Sequence, residues 1–252
     1  MTSFNLQRSA CVALSLSALI AATAQGAVVT QWNFDSSSAN ASTGEGTASL
    51  IGGTTATFAT GSGGTGFGWN TSTYKAQGTG SGEAGVQFLA STAQGSGYES
   101  ISLTFDHRAS GTNSRWAQVD YTLDGGATWV TNFWNNNGGL SPHDTFYSFT
   151  VDFSSVSGAN NNAGFGVRVV SIFSPLAFNQ NATLSYGANE AYMRANSGAT
   201  YAPIPSTSTS SSNYGASGTW RFDNVTVNGT AIPAPGAIAL LGLAGLATRR
   251  TR

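Results

Sequence analysis

The sequence predicts an all-β fold, a single antiparallel β-sandwich or jelly roll, on three observations. Short runs alternate apolar and polar residues, the period of a half-buried strand. Clusters of Gly, Ser, Thr and Asn separate these runs. No long segment between the two ends of the chain carries the 3.6-residue period of an amphipathic helix. Roughly ten to twelve short strands with glycine-rich turns are the pattern of a sandwich or jelly roll.

The elements follow in order. Val28–Phe34 alternates and opens the domain. Ala48–Ala59, broken by Gly52-Gly53, reads as a hairpin, and Gly61–Gly68 as a surface loop. Ala84–Leu89 is the next strand. Glu99–His107 alternates best, with Ile101, Leu103 and Phe105 on one face and Ser102, Thr104 and Asp106 on the other. Trp116–Leu123 and Thr128–Trp134 bracket an Asp124-Gly125-Gly126 turn. Thr145–Phe153 and the more apolar Gly164–Phe173 follow. Asn189–Ala195 reads as a helical turn and Pro203–Ser217 as a loop. Trp220–Val227 closes the domain. A jelly roll brings its first and last strands together, which suits a chain opening on Trp32-Asn33-Phe34-Asp35 and closing on Arg221-Phe222-Asp223-Asn224. The order Phe105–Arg108, Val119–Trp129 and this closing strand resembles jelly-roll modules of secreted bacterial proteins, which are lectin-like or carbohydrate-binding-like.

Composition bounds the function. The chain has 252 residues and one cysteine, Cys11. Cys11 falls in the N-terminal apolar run, so a body without it has neither disulfides nor thiolate chemistry. Charged residues are 8% of the chain, against about 25% in ordinary globular proteins. Between the two end segments lie six basic and eleven acidic residues, a net charge of −5. That sign excludes an electrostatic footprint for nucleic acid. With 14 Phe, 8 Tyr and 6 Trp, the body has enough apolar volume for a core.

Both ends read as sorting segments. Arg8 precedes an apolar run, Ala10–Ala22, and small residues follow through Ala27. This is the pattern of a secretory signal peptide over residues 1–27. At the other end Pro233-Ala234-Pro235-Gly236 precedes an apolar stretch to Ala247, and Arg249, Arg250 and Arg252 finish the chain. The twelve residues Gly236–Ala247 are short of the roughly 20 that span a bilayer as a helix. The arginines would hold the end on the cytoplasmic side. This tail, residues 232–252, resembles a PEP-CTERM sorting signal, with Pro-Ala-Pro in place of Pro-Glu-Pro. The resemblance implies export, transient insertion of a short hydrophobic helix in the inner membrane, recognition by an exosortase-like membrane enzyme, and delivery to the cell surface or an extracellular polysaccharide matrix. Residues 28–231 remain as the β-sandwich domain.

Chemical motifs within the body are few. Thr122-x-Asp124-x-Gly126-x-Thr128-Trp129 matches the Asp-box pattern, a hairpin in which Asp124 accepts backbone N–H groups, Gly126 takes a positive φ and Trp129 packs below. It occurs once, so its reading is structural. His107 and His143 lack the second and third ligands a catalytic zinc needs, and His107 reads as a polar edge position. No Gly-x-Ser-x-Gly elbow is present. Asp120 and Asp124 are the carboxylates to weigh as a glycosidase pair. Asp35 and Asp223, near the meeting ends of the first and last strands, are candidate calcium ligands. Trp69, Tyr74, Trp134 and Tyr147 stand near Gly/Asn-rich loops and are candidates to stack on sugar rings. The function expected is a non-catalytic, exported surface or matrix protein, with a lectin-like module or glycan-active enzyme as the alternative.

Overall fold

A computed structural model describes residues 26–132, 144–175, 177, 186–195 and 214–234. The signal segment up to residue 25, the tail from Pro235 onward, Trp134, His143 and most of the Pro203–Ser217 stretch lie outside them. Among the described residues no helix is long and apolar enough to cross a membrane.

Among the described residues, eleven strands form two antiparallel sheets. They are β1 (Ala27–Trp32), β2 (Gly46–Ile51), β3 (Thr55–Thr60), β4 (Phe67–Ser72), β5 (Gly85–Ala90), β6 (Tyr98–Ala109), β7 (Ala117–Thr122), β8 (Val130–Asn132), β9 (Tyr147–Asp152), β10 (Gly166–Ser171) and β11 (Trp220–Ala231). One sheet has six strands in the order β3-β4-β11-β6-β9, with β1 also on β11. The other has five, in the order β2-β5-β10-β7-β8. Only β3–β4 and β7–β8 are sequential pairs within one sheet, so every other connection crosses the sandwich.

Alternation explains the layering. β6 buries Ile101, Leu103, Phe105, His107 and Ala109 and turns Ser102, Thr104, Asp106 and Arg108 outward. β11 buries Phe222, Val225 and Val227, and a register shift after Asp223 accommodates Asn224 at a positive φ of 48°. Trp32 and Phe88 meet across the sandwich at 5.0 Å, and Trp69 stacks on Phe34 at 5.6 Å. Tyr74 packs edge-on to Trp220, whose indole N–H donates to the Ser114 carbonyl at 2.7 Å.

The first and last strands do pair. Ala27 is opposite Gly229 and Trp32 opposite Val225. The Ile232 N–H donates to the Gly97 carbonyl at 2.9 Å, and Ser96 Oγ donates to the Ile232 carbonyl at 2.5 Å. Both ends of the body therefore leave at one pole, and Pro233 and Ala234 are exposed just past the last pinned residue.

Two expected elements differ. Ala48–Ala59 is not a hairpin: β2 pairs with β5 and β3 with β4, in opposite sheets. Thr54 holds this corner by donating from Oγ1 to the Gly85 carbonyl at 2.9 Å. Asn189–Ala195 is not a helical turn either. It opens on a turn with Asn189 at φ 60°, then passes through an Arg194–Ser114 bridge, and Gln77 clamps the Tyr192 backbone through both its amide groups. Those two hydrogen bonds satisfy a backbone that a helix would have satisfied internally.

Candidate functional site

The Asp-box hairpin joins β7 to β8. Asp124 Oδ1 accepts the Thr128 N–H at 2.9 Å and the Thr122 hydroxyl at 2.7 Å, and Oδ2 accepts the Thr128 hydroxyl at 2.5 Å. The Thr128 hydroxyl, then its N–H, then the Thr122 hydroxyl pull the Asp124 carboxyl down to about 2. Gly126 has φ 97°, and a Cβ there would face Trp129 Cζ2 at 3.6 Å and Leu89 Cδ2 at 3.9 Å. The turn thus folds Trp129 onto the outer face of the five-stranded sheet. Its ring lies 4.9 Å from Arg168 Cζ.

Arg168 stands at the centre of a transverse row. Ser49 is opposite Gln87, Gln87 opposite Arg168, Arg168 opposite Asp120, and Asp120 opposite Thr131. Ser49, Gln87, Arg168 and Asp120 alternate with residues packed in or against the core, and register sets Thr131 beside Asp120 on the short, exposed β8, so the row crosses the outer face from β2 to β8. Arg168 Nε donates to Asp120 Oδ2 at 2.7 Å. Gln118 Nε2 donates to Asp120 Oδ1 at 2.6 Å and to Thr131 Oγ1 at 3.0 Å. Asp120 is only 1% exposed, while 27% of the Arg168 side chain is open. Leu89 adds apolar surface beside Trp129, above Gly166, where a Cβ would meet Leu89 Cδ2 at 2.5 Å. The arrangement offers a pre-set line of hydrogen-bonding groups beside an aromatic ring.

Of these residues the sequence singled out Trp129 and Asp120, and for other roles. Arg168 was visible only as one cation inside an apolar strand, Val167-Arg168-Val169-Val170. Gln87, Ser49 and Thr131 carry no signal until the register places them side by side.

The outer face of the six-stranded sheet is built differently. Asp223 is opposite Asp106 and Arg221 opposite Arg108. Asp35 joins the aspartates through the Gly61–Gly66 turn. Its Oδ1 accepts the Phe67 N–H at 3.2 Å, and a Cβ on Gly66 (φ 59°) would overlap that oxygen. Asp223 Oδ2 accepts the Ser62 N–H and Oδ1 the Asn224 N–H, both at 2.7 Å. Burial, then the Asp106 and Asp35 charges, raise the Asp223 carboxyl, against the pull of those two N–H groups. The structure brings Asp35 and Asp223 to one loop, but their oxygens are engaged by backbone donors. Among the described residues no three His, Cys, Asp or Glu side chains are grouped to hold a metal. Through Asp35 Oδ1 and Asp223 Oδ2 the pair acts as a clasp on the glycine-rich turn.

Other candidates move inward. Trp69 and Tyr74 are core residues rather than sugar-stacking ones. Burial pushes the Tyr74 hydroxyl far above its usual range, and it pairs with Thr71 Oγ1 at 2.5 Å. Tyr147 is half-buried against the same core, opposite His107. His107 is not an edge residue. It is fully buried between Trp220 and Phe222, with ring centroids 5.2 and 5.1 Å away. Burial first, and then Arg108, lower it to about 3, so it stays neutral. The period-2 pattern of β6 already predicts this inward position, two residues past Phe105. Of the Asp120–Asp124 pair, Asp120 is bound to Arg168, and Asp124 accepts from Thr122 and Thr128 of its own turn.

No protein-family profile matches the chain, and no curated protein matches it. Among solved structures, the chain is similar to the CBM22-1 xylan-binding domain of Xyn10C from Paenibacillus barcinonensis. The identity is 10% and the TM-score 0.42, over 83% of this chain and 97% of that one. A likeness of that size transfers no residue roles.

Proposed function

We propose that this chain is an exported, non-catalytic carbohydrate-binding protein of the cell surface or its polysaccharide matrix. One observation carries the binding part: the Ser49–Gln87–Arg168–Asp120–Thr131 row with Trp129 standing over its centre. Sugar rings present hydroxyls that both donate and accept, and C–H faces that pack on aromatic rings. A flat line of amides, hydroxyls and a guanidinium beside an indole suits that chemistry.

The export part rests on the two end segments. Arg8 with Ala10–Ala22 supports secretion. Pro233-Ala234-Pro235-Gly236, the apolar stretch and Arg249, Arg250 and Arg252 support recognition by an exosortase-like enzyme during transient insertion. A body whose two ends leave at one pole suits this arrangement, because both segments reach the same membrane without the fold standing between them.

Affinity electrophoresis of the purified protein in gels containing individual polysaccharides tests the binding. Retardation by at least one polymer supports it, and free migration through all of them overturns it. Release of reducing ends from a retarding polymer would overturn the non-catalytic part. Fractionation of the native organism, with loss of surface delivery on changing Arg249, Arg250 and Arg252 to Ala, tests the sorting part.

A further inference from the structure

We infer that the outer face of the five-stranded sheet binds an uncharged polysaccharide as an extended internal segment, lying across the strands with the Arg168 guanidinium donating to sugar oxygens at its centre. This rests on the carbohydrate-binding reading above.

The charge argument comes first. The five strands contain two charged residues, Arg168 and Asp120, and these two pair at 2.7 Å. Asp120 cancels Arg168 from the neighbouring strand, so the row has no spare cation. A polyuronate brings a carboxylate on ring after ring and needs several. The body's net charge of −5 repels such a polymer at longer range as well.

The donors and acceptors that remain suit hydroxyls. Arg168 uses Nε on Asp120, and among the described residues its two terminal nitrogens make no hydrogen bond. They keep four N–H donors in a fixed plane. Gln118 uses its amide nitrogen on Asp120 and Thr131, which leaves its carbonyl oxygen as an acceptor. Gln87 makes no side-chain hydrogen bond among the described residues, so its amide both donates and accepts. The guanidinium is held at its edge by Asp120 and on its face by Trp129. Its orientation is thus set before a ligand arrives, which lowers the entropy lost on binding.

The length argument gives the segment. Five strands make four spacings of about 4.8 Å, so the row is ~19 Å long. That exceeds one sugar ring several times over. At one end Ser49 is half-buried and at the other Thr131 is exposed, so among the described residues neither end closes into a pocket for a chain terminus.

The test is calorimetric titration of the purified protein. The probes are cellohexaose, xylohexaose, mannohexaose and hexagalacturonate, with glucose, xylose and mannose as single-ring controls. The expected result is saturable binding of at least one neutral hexamer, about tenfold or more tighter than its monosaccharide. Its affinity should hold between low and high salt, since no net charge is screened. Arg168→Lys keeps the charge but loses the fork, and Gln87→Ala removes an amide on which no described contact depends. Each should weaken the hexamer about tenfold, and Gln87→Ala should do so without changing the melting temperature. Preference for hexagalacturonate with a steep salt dependence would overturn the inference while leaving carbohydrate binding intact. So would equal affinity for ring and hexamer, or unchanged binding in Gln87→Ala. No binding to any probe would remove both.

Discussion

The two outer faces of the sandwich handle charge in opposite ways. On the five-stranded face two opposite charges meet across β10 and β7, and nothing else on those strands is ionised. On the six-stranded face like stands opposite like, Asp223 beside Asp106 and Arg221 beside Arg108. Like charges in register are destabilising, and each group here finds its relief outside the pair. Asp106 accepts from Ser148 Oγ and from Asn224 Nδ2, and Arg108 pairs with Asp144. Arg221 donates to Asn70 Oδ1 at 3.1 Å and to the Thr60 carbonyl at 2.8 Å. Asp223 reaches the Ser62 N–H. The charges of this face are therefore turned toward loops and neighbouring strands, which they tie down. The charges of the other face satisfy each other on one edge and leave donors facing outward. The difference sets a face whose charges tie the fold together apart from one whose two charges pair with each other, which is the face proposed to bind glycan.

The largest expected effect that would break this contrast is at Asp120. Asp120→Ala strands Arg168 and Gln118 together. It should cost roughly 2–3 kcal/mol, a value below that of a fully buried pair because Arg168 is partly solvated. A fall of roughly 5–10 °C in melting temperature is the corresponding readout. Neutral-hexamer binding should be lost with it. Next is Trp129→Ala, which should weaken that binding about tenfold, ~1.4 kcal/mol, while calorimetric melting stays within roughly 2 °C of wild type. If melting falls steeply and binding survives, the face is structural like its counterpart.

Acid titration sharpens the contrast, because the two turn-holding aspartates shift in opposite directions. Asp124 is lowered to about 2, so its contribution is present above the ordinary carboxylate value of 3.8 and is lost as pH falls toward 2. Asp223 is raised. Its contribution is complete below 3.8 and is lost as pH rises through its folded value. Melting temperatures of Asp124→Asn and Asp223→Asn across the acid range should diverge from wild type in opposite senses. Asp223→Asn removes the buried charge but sets an amide NH2 against one of the Ser62 and Asn224 N–H donors, so the two effects oppose and neutral-pH stability should stay within roughly 1 kcal/mol of wild type. Parallel curves for the two variants would refute the assigned causes. The smallest effect is expected at Thr57, exposed on the six-stranded face beside Asn70. Thr57→Ala should stay within about 0.5 kcal/mol in chemical denaturation and leave glycan binding unchanged.

Much of the fold was legible because it is local. The alternation of β6 and β11, the Asp-box turn and the pairing of first strand with last follow from period, turn chemistry and topology rules. Other features were not. Gly52-Gly53 looks like a hairpin turn, yet both glycines, at φ 70° and 88°, lead the chain from one sheet to the other. A two-residue turn allows either outcome, and the partners β5 and β4 decide it. Trp69 and Tyr74 flank polar loops in sequence and are core in space, because β4 turns Trp69 inward between the sheets and Tyr74, just past its end, packs on Trp220.

By itself the sequence determined an all-β body, free of cysteine, with a low charge and a turn that must form where Asp124, Gly126 and Thr128 coincide. Those are properties of composition and of contacts within a few residues. Which polar residues act together was decided only by tertiary structure. Ser49, Gln87, Arg168, Asp120 and Thr131 are dispersed over more than eighty residues, and strand register alone sets them in one line. A shift of one residue in β10 would turn Arg168 into the core and Val167 or Val169 out to solvent. The apolar pattern of Val167 and Val169 forbids that shift, so burial of the core is the physical cause that places the guanidinium on the outer face.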